Sequence, residues 1–306
     1  MENMNPESLL RKAQALGDDI KEMESIDVMG AYRQTQAKIK TNRRKGMYNQ
    51  LMRYAAFLTI PLLLTSLLFG YLYFDGADEE EQYAEVTAAT GSVIRYELPD
   101  HSVVWLNAGS TLRYPTVFRN DNRNVEFKGE PYFEVEADKE RPFYVNTSNG
   151  LKVYVYGTKF NVAAYDDDNY IETVLEKGKV NVITPNQETI VLAPGEHLLY
   201  DKQSQKSKKN TVDVYGKVAW KDGKLIFRNA SLEEIFKRLE RHFNVDIQFD
   251  NKAGKEYKYR ATFRTETLSQ ILDYLAKSAA LKWKIQESEQ QTDGTLSKAR
   301  IIVDLY

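Results

Sequence analysis

Hydrophobic positions fall along this chain in distinct rhythms, and each predicts a different kind of element. From Tyr54 to Phe74 the run YAAFLTIPLLLTSLLFGYLYF carries no charge for 21 residues. At about 1.5 Å rise per residue a helix of that length covers roughly 30 Å, the thickness of a bilayer's hydrocarbon core, so the run predicts one transmembrane helix. Tyr54, Tyr71 and Tyr73 stand at its two ends, where aromatic rings favour the headgroup level. Ahead of it two weaker stripes recur at helical spacing. The first is Leu9, Leu10, Ala13 and Leu16 within 6–16, where Pro6 and Glu7 suit a helix start; the second is Val28, Met29, Tyr32 and Ile39 within 27–40.

From residue 86 to 200 the rhythm changes to short alternating runs, among them SVIRYEL, VVWL, PYFEVEA, LKVYVY, TKFNVAAY and TIVLAPGEHLLY. Turn signals such as Pro99-Asp100, Gly109-Ser110, Lys177-Gly178 and Pro194-Gly195 separate them, and no long helical stripe intervenes. That grammar predicts an all-β domain, either a sandwich or a β-helical stack. Residues 201–216 are polar and rich in Ser, Lys and Gln, the composition of a linker. In 217–306 a strand, a helix and a strand then recur at an offset of 36 residues, which aligns Phe227 with Phe263, Leu232 with Leu268, Ile235 with Ile271 and Leu239 with Leu275. Ser231 and Thr267 stand where each helix needs its N-cap. With the closing run ARIIVDL after Asp293-Gly294, the repeat predicts a small two-layer α+β domain whose helices cover one face of a sheet and whose edges are open to a partner. The predicted organisation is thus a helical segment 1–53, the span 54–74, an acidic spacer 75–85, the all-β domain 86–200, the linker 201–216 and the βαβ-repeat domain 217–306.

Composition narrows the function by exclusion. The 306 residues hold 42 Lys and Arg against 44 Asp and Glu, so no global positive field draws nucleic acid, and none is expected as a direct partner. Cysteine is absent and the three histidines, His101, His197 and His242, are scattered, which removes disulfides, thiol catalysis and Cys/His zinc sites. The near-neutral balance hides an asymmetry. Residues 1–53 carry ten basic groups against seven acidic ones; Lys38, Lys40, Arg43, Arg44, Lys45 and Arg53 precede the span, and Asp75, Asp78, Glu79, Glu80 and Glu81 follow it. Positive charge stays on the cytoplasmic side, so the N-terminus is expected inside and everything beyond the span outside. A 53-residue leader is too long for the charged region of a cleaved signal peptide. Within the span Pro61, Thr65, Ser66 and Gly70 are the residues that loosen a helix.

Residues 1–53 are too few to bury either apolar stripe in a core of their own, so Leu9, Leu10, Leu16, Val28, Tyr32 and Ile39 are candidate partner-binding residues. No catalytic constellation assembles elsewhere. Asp166, Asp167, Asp168 and Asn169 offer oxygen ligands but lack the spacing, glycine and distal Glu of an EF-hand loop, and are expected as a solvated turn. His197, within PGEHLLY, is expected on a strand as an ordinary surface or edge residue. Phosphate-cradling glycine loops and nucleophile elbows are absent. Neither enzymatic activity nor a cofactor is expected, and binding surfaces carry the function.

The blocks LPDHSVVWLNAGSTLRYP (98–115), GEPYFEVEADKERPFYV (129–145), VYVYGTKFNVAAY (153–165), VLEKGKVNV (174–182) and LAPGEHLLY (192–200) resemble the signature blocks of the FecR family, whose members are single-pass anti-sigma factors. The stretch AWKDGKLIFRNASLEEIFKRLERHFNVDIQF resembles the C-terminal domain that accompanies them in Bacteroidetes-type members, related in fold to the secretin and TonB short N-terminal domain. The resemblance implies an inner-membrane protein whose cytoplasmic part holds an extracytoplasmic-function sigma factor. Its periplasmic part would sense occupancy of an outer-membrane TonB-dependent transporter through that transporter's signalling domain. An envelope structural or assembly protein, docking transporter or secretin-like machinery, is the alternative reading.

Two departures from the family stand out: His101 occupies a position where glycine is usual, and the segment 1–53 is short and without tryptophan. The resemblance also makes Gly157-Thr158 a candidate self-cleavage point, because in some members the Thr hydroxyl of this pair attacks the preceding carbonyl, which requires a strained peptide. The residues themselves equally suit a glycine bulge followed by a β-favouring Thr. A lone helix transmits a rotation poorly to a partly ordered segment, so signalling is expected to release the cytoplasmic part by cleavage within Tyr54 to Phe74.

Overall fold

The computed structural model describes residues 6–24, 27–75, 81–118, 123–286 and 297–306, in two compact units, Met1–Glu79 and Glu80–Tyr306. Helices α1 (Pro6–Glu24) and α2 (Val28–Asp75) make the first. Asp27 starts α2 by accepting the Gly30 amide at 2.7 Å, and the helix then runs unbroken for 48 residues. The stripe at 27–40 and the apolar run at 54–74 are therefore parts of one element, because the Lys, Arg, Asn, Gln and Met residues joining them tolerate helix well. Pro61 lies inside it without ending it. Thr65 turns its hydroxyl back to the Leu62 carbonyl at 3.0 Å, satisfying itself within the helix. Among the described residues Leu51–Tyr71 is the one helical stretch long and apolar enough to cross a membrane, with a mean hydropathy of 1.7.

The second unit opens with β1 (Tyr83–Thr87), β2 (Ile94–Glu97), β3 (Val103–Leu106), β4 (Thr111–Pro115), β5 (Arg123–Lys128), β6 (Pro131–Glu134) and β7 (Phe143–Thr147). It continues with β8 (Lys152–Val155), β9 (Lys159–Ala163), β10 (Tyr170–Lys177), β11 (Val180–Ile183), β12 (Thr189–Leu192), β13 (Glu196–Asp201) and β14 (Ser207–Thr211). These form two seven-stranded sheets, ordered β1-β4-β5-β7-β8-β11-β12 and β14-β13-β10-β9-β6-β3-β2, antiparallel except where β5 meets β7. Strands enter the sheets mostly in consecutive pairs, so the chain winds back and forth between two layers. The inward faces bury Val125 and Phe127 of β5 and Phe143 and Val145 of β7, with Phe133 stacked on Phe160 at 5.2 Å and set edge-on to Phe143.

A buried ion pair ties one end of the sandwich. Arg123 Nη1 lies 2.7 Å from Asp100 Oδ2, with the two side chains 1% and 7% exposed. The guanidinium also donates to the Arg141 and Glu136 carbonyls, and the Ser102 hydroxyl donates to Asp100 while accepting the Glu136 amide. Every charge is thereby satisfied, as burial demands. His101, beside this knot, takes φ 66°, so the turn keeps the left-handed shape glycine would give, and its Nδ1 rests 2.9 Å from Glu97.

The expected linker 201–216 is instead largely ordered structure: β14 pairs along β13 as the edge of its sheet, and its SKKNT sequence lacks an apolar rhythm because an edge strand has little to bury. The turn expected at Pro194-Gly195 divides the run TIVLAPGEHLLY into two strands, which lie in different sheets, with Gly195 at φ 87°.

A short helix α3 (Val214–Val218) and a 3-10 turn (Ala219–Asp222) lead to β15 (Leu225–Ala230), α4 (Leu232–Phe243), β16 (Asp246–Asn251), β17 (Tyr259–Phe263), α5 (Leu268–Ser278), β18 (Leu281–Gln286) and β19 (Arg300–Leu305). The repeat is realised as expected, with Ser231 and Thr267 accepting the Glu234 and Gln270 amides at the helix N-caps. The expected single sheet is instead two: β15 pairs with β17, and β19 lies between β16 and β18. Ile235, Leu239, Ile271 and Leu275 of the helices join Phe227, Ile301 and Val303 in one core that serves both small sheets. The expected turn Asp293-Gly294 lies outside the described residues. A boundary at 217 cuts through α3, so the fold places the start of this domain earlier.

Replacing Asp100 by Ala should cost about 3–5 kcal/mol, because it strands the Arg123 charge in the interior. The double variant Asp100→Ala/Arg123→Met should recover most of that loss. Urea unfolding monitored by tryptophan fluorescence measures both, and a loss below about 1 kcal/mol for Asp100→Ala would show that water reaches the pair.

Candidate functional site

In the first unit the sequence-derived candidates Leu10, Leu16, Val28 and Tyr32 are exposed, each by more than half of its surface. The side chains of Leu9 and Ile39 lie outside the described residues, although their backbones belong to α1 and α2. Uncovered apolar side chains on amphipathic helices are what a helix-binding partner would bury.

Gly157 and Thr158 each have a packing reason for being where they are. At Gly157 φ is 141° and an added Cβ would stand 2.8 Å from the Ala137 Cα, closer than any side chain tolerates. Thr158 is buried and donates its hydroxyl to the Lys179 carbonyl at 3.1 Å.

The densest concentration of polar chemistry lies where the C-terminal domain meets the sandwich, and the sequence reading did not find it. The connector after β14 buries Trp220 against Tyr132 and Val218. Its indole N–H donates to Asn161 Oδ1 at 3.3 Å, and Asn161 and Asn107 in turn donate to the two carboxylate oxygens of Glu130, at 2.9 and 2.8 Å. Beside this chain Glu172 of β10 receives His197 Nδ1 at 2.7 Å and the Lys217 ammonium at 3.0 Å. His197 is therefore buried on β13, a correction to its expected surface position, because β13 lies inside its sheet between β10 and β14.

The acidic turn between β9 and β10 is likewise more than a solvated turn. Asp167 and Asp168 lie 3.0 and 2.8 Å from Arg241 Nη2 of α4, and the Lys237 ammonium lies 2.5 Å from Asp168 and donates to the Asp167 carbonyl at 2.7 Å. The Arg241 guanidinium also sits over the Tyr165 ring, 3.7 Å from its centroid, and its carbonyl accepts the Gly91 amide. Cavities of about 160 and 490 Å³ open on the two sides of Arg241, the smaller floored by Glu130, Glu172 and Lys217. A triple Asp followed 70 residues later by a helix rich in Lys and Arg was the available sequence signal, but pairing across that distance cannot be read without the fold.

The remaining histidines stand apart from this seam's carboxylates: His101 is exposed beside Glu97, and His242 is half-buried edge-on to Phe243. Among the described residues no group of three or more acidic or histidine side chains converges as metal ligands would.

Electrostatics divide the seam's carboxylates. Burial pushes Glu172 up, but the His197 hydrogen bond and the Lys217 charge outweigh it and hold the carboxyl below the ordinary glutamate value. Burial likewise opposes, and the Arg241 charge then overcomes, a shift at Asp167, which ends below the ordinary aspartate value. Glu130 goes the other way, pushed up by burial despite the two amide donors. A depressed folded-state value means stability present above the unfolded carboxylate range and lost as pH falls through the folded value; the raised Glu130 is relieved earlier in the fall, between its raised value and the ordinary one. Thermal unfolding between pH 7 and 3 should therefore show a gain from Glu130 as pH falls toward the ordinary carboxylate range, then acid loosening below about pH 4 set by Glu172 and Asp167. Glu172→Gln should flatten this acid limb, and an acid limb unchanged in that variant would remove Glu172 from the account.

Comparison with known proteins gives a consistent answer. The family model described as FecR protein matches residues 84–181, the larger part of the sandwich, and the model described as FecR, C-terminal matches 224–291. Two crystal structures of a candidate anti-sigma factor from Parabacteroides distasonis ATCC 8503 are similar, with TM-scores of 0.64 and 0.63 at 30% and 28% identity. The matches cover 72% and 74% of this chain and 98% and 100% of theirs, shares that correspond in size to the unit Glu80–Tyr306. No curated protein matches the chain. Both domains in the family's order, on a fold shared with a candidate anti-sigma factor, make this chain a member of the FecR family, and they support a regulatory role.

Proposed function

We propose that this chain is a single-pass inner-membrane anti-sigma regulator. α1 and the first part of α2 hold an extracytoplasmic-function sigma factor in the cytoplasm, Leu51–Tyr71 crosses the membrane, and the two β-rich domains stand in the periplasm. There the C-terminal domain reads the signalling domain of an outer-membrane TonB-dependent transporter. The observation that carries the reading is FecR-family membership joined to an uncovered apolar surface, Leu10, Leu16, Val28 and Tyr32, on the basic side of one membrane-length helix. Orientation follows from the Lys and Arg cluster before the span and the acidic run after it.

A tagged segment 1–53 should retain an extracytoplasmic-function sigma factor from the cell's own set. Leu16→Asp and Tyr32→Asp should each weaken capture by about tenfold or more, the loss expected when one anchoring apolar side chain is denied burial. Capture of no sigma factor would leave this segment as anchorage and favour an envelope assembly role.

The continuity of α2 ties the cytoplasmic residues mechanically to the span, yet a lone helix has no packed neighbour to give it a second stable position. Release by cleavage within the span meets that difficulty, and Pro61, Thr65, Ser66 and Gly70 are where local unwinding costs least. An N-terminal tag should pass from membrane to cytosol on transporter stimulation, and changing these four residues together to Leu should hold it in the membrane. A tag that stays membrane-bound in both proteins while signalling proceeds would replace cleavage by a conformational route, and a tag found on the periplasmic side would reverse the orientation.

A further inference from the structure

We infer that the turn Asp167-Asp168 is an internal acidic plug on a basic face of α4, and that an acidic peptide segment can take its place. The charge complementarity is on display in the plug itself. Two carboxylates from the sandwich are held by Lys237 and Arg241, one helical turn apart on α4, and the Arg241 guanidinium is further aligned by the Tyr165 ring. The receiving side chains are partly open, with Arg241 20% and Lys237 35% exposed, and Asp167 is 65% exposed, so each pair is reachable from solvent. The rest of the seam does not depend on these pairs: Trp220 is buried on Tyr132, and Glu172 is held by His197 and Lys217. The plug can therefore leave while the domains remain folded and joined. The cavity of about 490 Å³ beside Arg241, where Lys298 and Arg300 add positive charge opposite Glu240 and Asp246, provides the space into which a competing acidic chain would enter.

Partly exposed ion pairs of this kind remain open to water and are screened by salt, which suits a contact meant to be exchanged for another of the same chemistry. A partner carrying two adjacent carboxylates would reproduce what Asp167 and Asp168 already do and would meet an oriented guanidinium–ammonium pair.

The test uses residues 81–306, which lie in one compact unit and span both matched domains, once circular dichroism shows that they fold; this also removes the basic cluster before the span. The probe is a fluorescent deca-glutamate peptide, read by anisotropy at low salt. Wild type should bind it weakly, and Asp167→Asn/Asp168→Asn, isosteric but uncharged, should bind at least tenfold tighter. Adding Lys237→Gln/Arg241→Gln should return binding to the wild-type level. The charge-matched control Glu140→Gln/Glu188→Gln, at exposed positions away from the seam, should not gain. Circular dichroism checks that wild type and all three variants are folded; should the neutral-loop variant unfold, Asp168→Ser with Asp167 intact serves in its place. No gain in the neutral-loop variant, a gain that survives loss of Lys237 and Arg241, or an equal gain in the control would each overturn the plug. None of these outcomes bears on whether residues 1–53 hold a sigma factor, so the two readings fail separately.

Discussion

The second unit depends on the burial of one residue. Trp220 cannot leave water without a partner for its indole N–H, and the partner it finds, Asn161, is already committed to Glu130 through its other end. Glu130 in turn is held by Asn107 across the sheet. The connector is thereby fixed both by apolar area, against Tyr132 and Val218, and by a directional polar chain that admits one register. Because α3 and the 3-10 turn occupy only nine residues between β14 and the start of β15, locking Trp220 also fixes where β15, and with it α4, must begin.

Once α4 is so placed, its outer face meets the turn between β9 and β10. Lys237 and Arg241 then find Asp167 and Asp168, and Lys217 finds Glu172 beside His197. The seam is graded: a dry aromatic and amide centre, a buried carboxylate held by a histidine and a lysine, and a wetter rim of ion pairs. The centre supplies most of the cohesion, since rim pairs contribute little in water. The rim supplies the complementarity that determines what else could settle there.

The first unit obeys a different constraint. Its long helix needs no tertiary support for its backbone hydrogen bonds, and Thr65 satisfies its own hydroxyl. What it leaves unsatisfied is apolar surface: Leu10, Leu16, Val28 and Tyr32 gain nothing until something covers them. A regulator whose output is binding carries its free energy in that form, as area waiting for a partner.

Much of this protein was legible in its sequence because the relevant signals are local. The charge-free run, the period-two strands between Gly and Pro turns, the capped helices repeating every 36 residues and the family blocks each state their structure within a short window. Ser231 and Thr267 cap as read, since a cap is decided by its own next three residues. Edge strand β14 escaped notice because an exposed edge has no apolar rhythm, and the split of the last sheet escaped because strand pairing is a non-local choice. The burial of His197 and the engagement of Asp167 and Asp168 were likewise invisible: a side chain's surroundings depend on segments 25 to 74 residues away, brought near only when the sandwich closes and Trp220 docks. Sequence by itself determined the elements, their order and the family; tertiary structure decided which charges meet, because that depends on distances in space that no local pattern encodes.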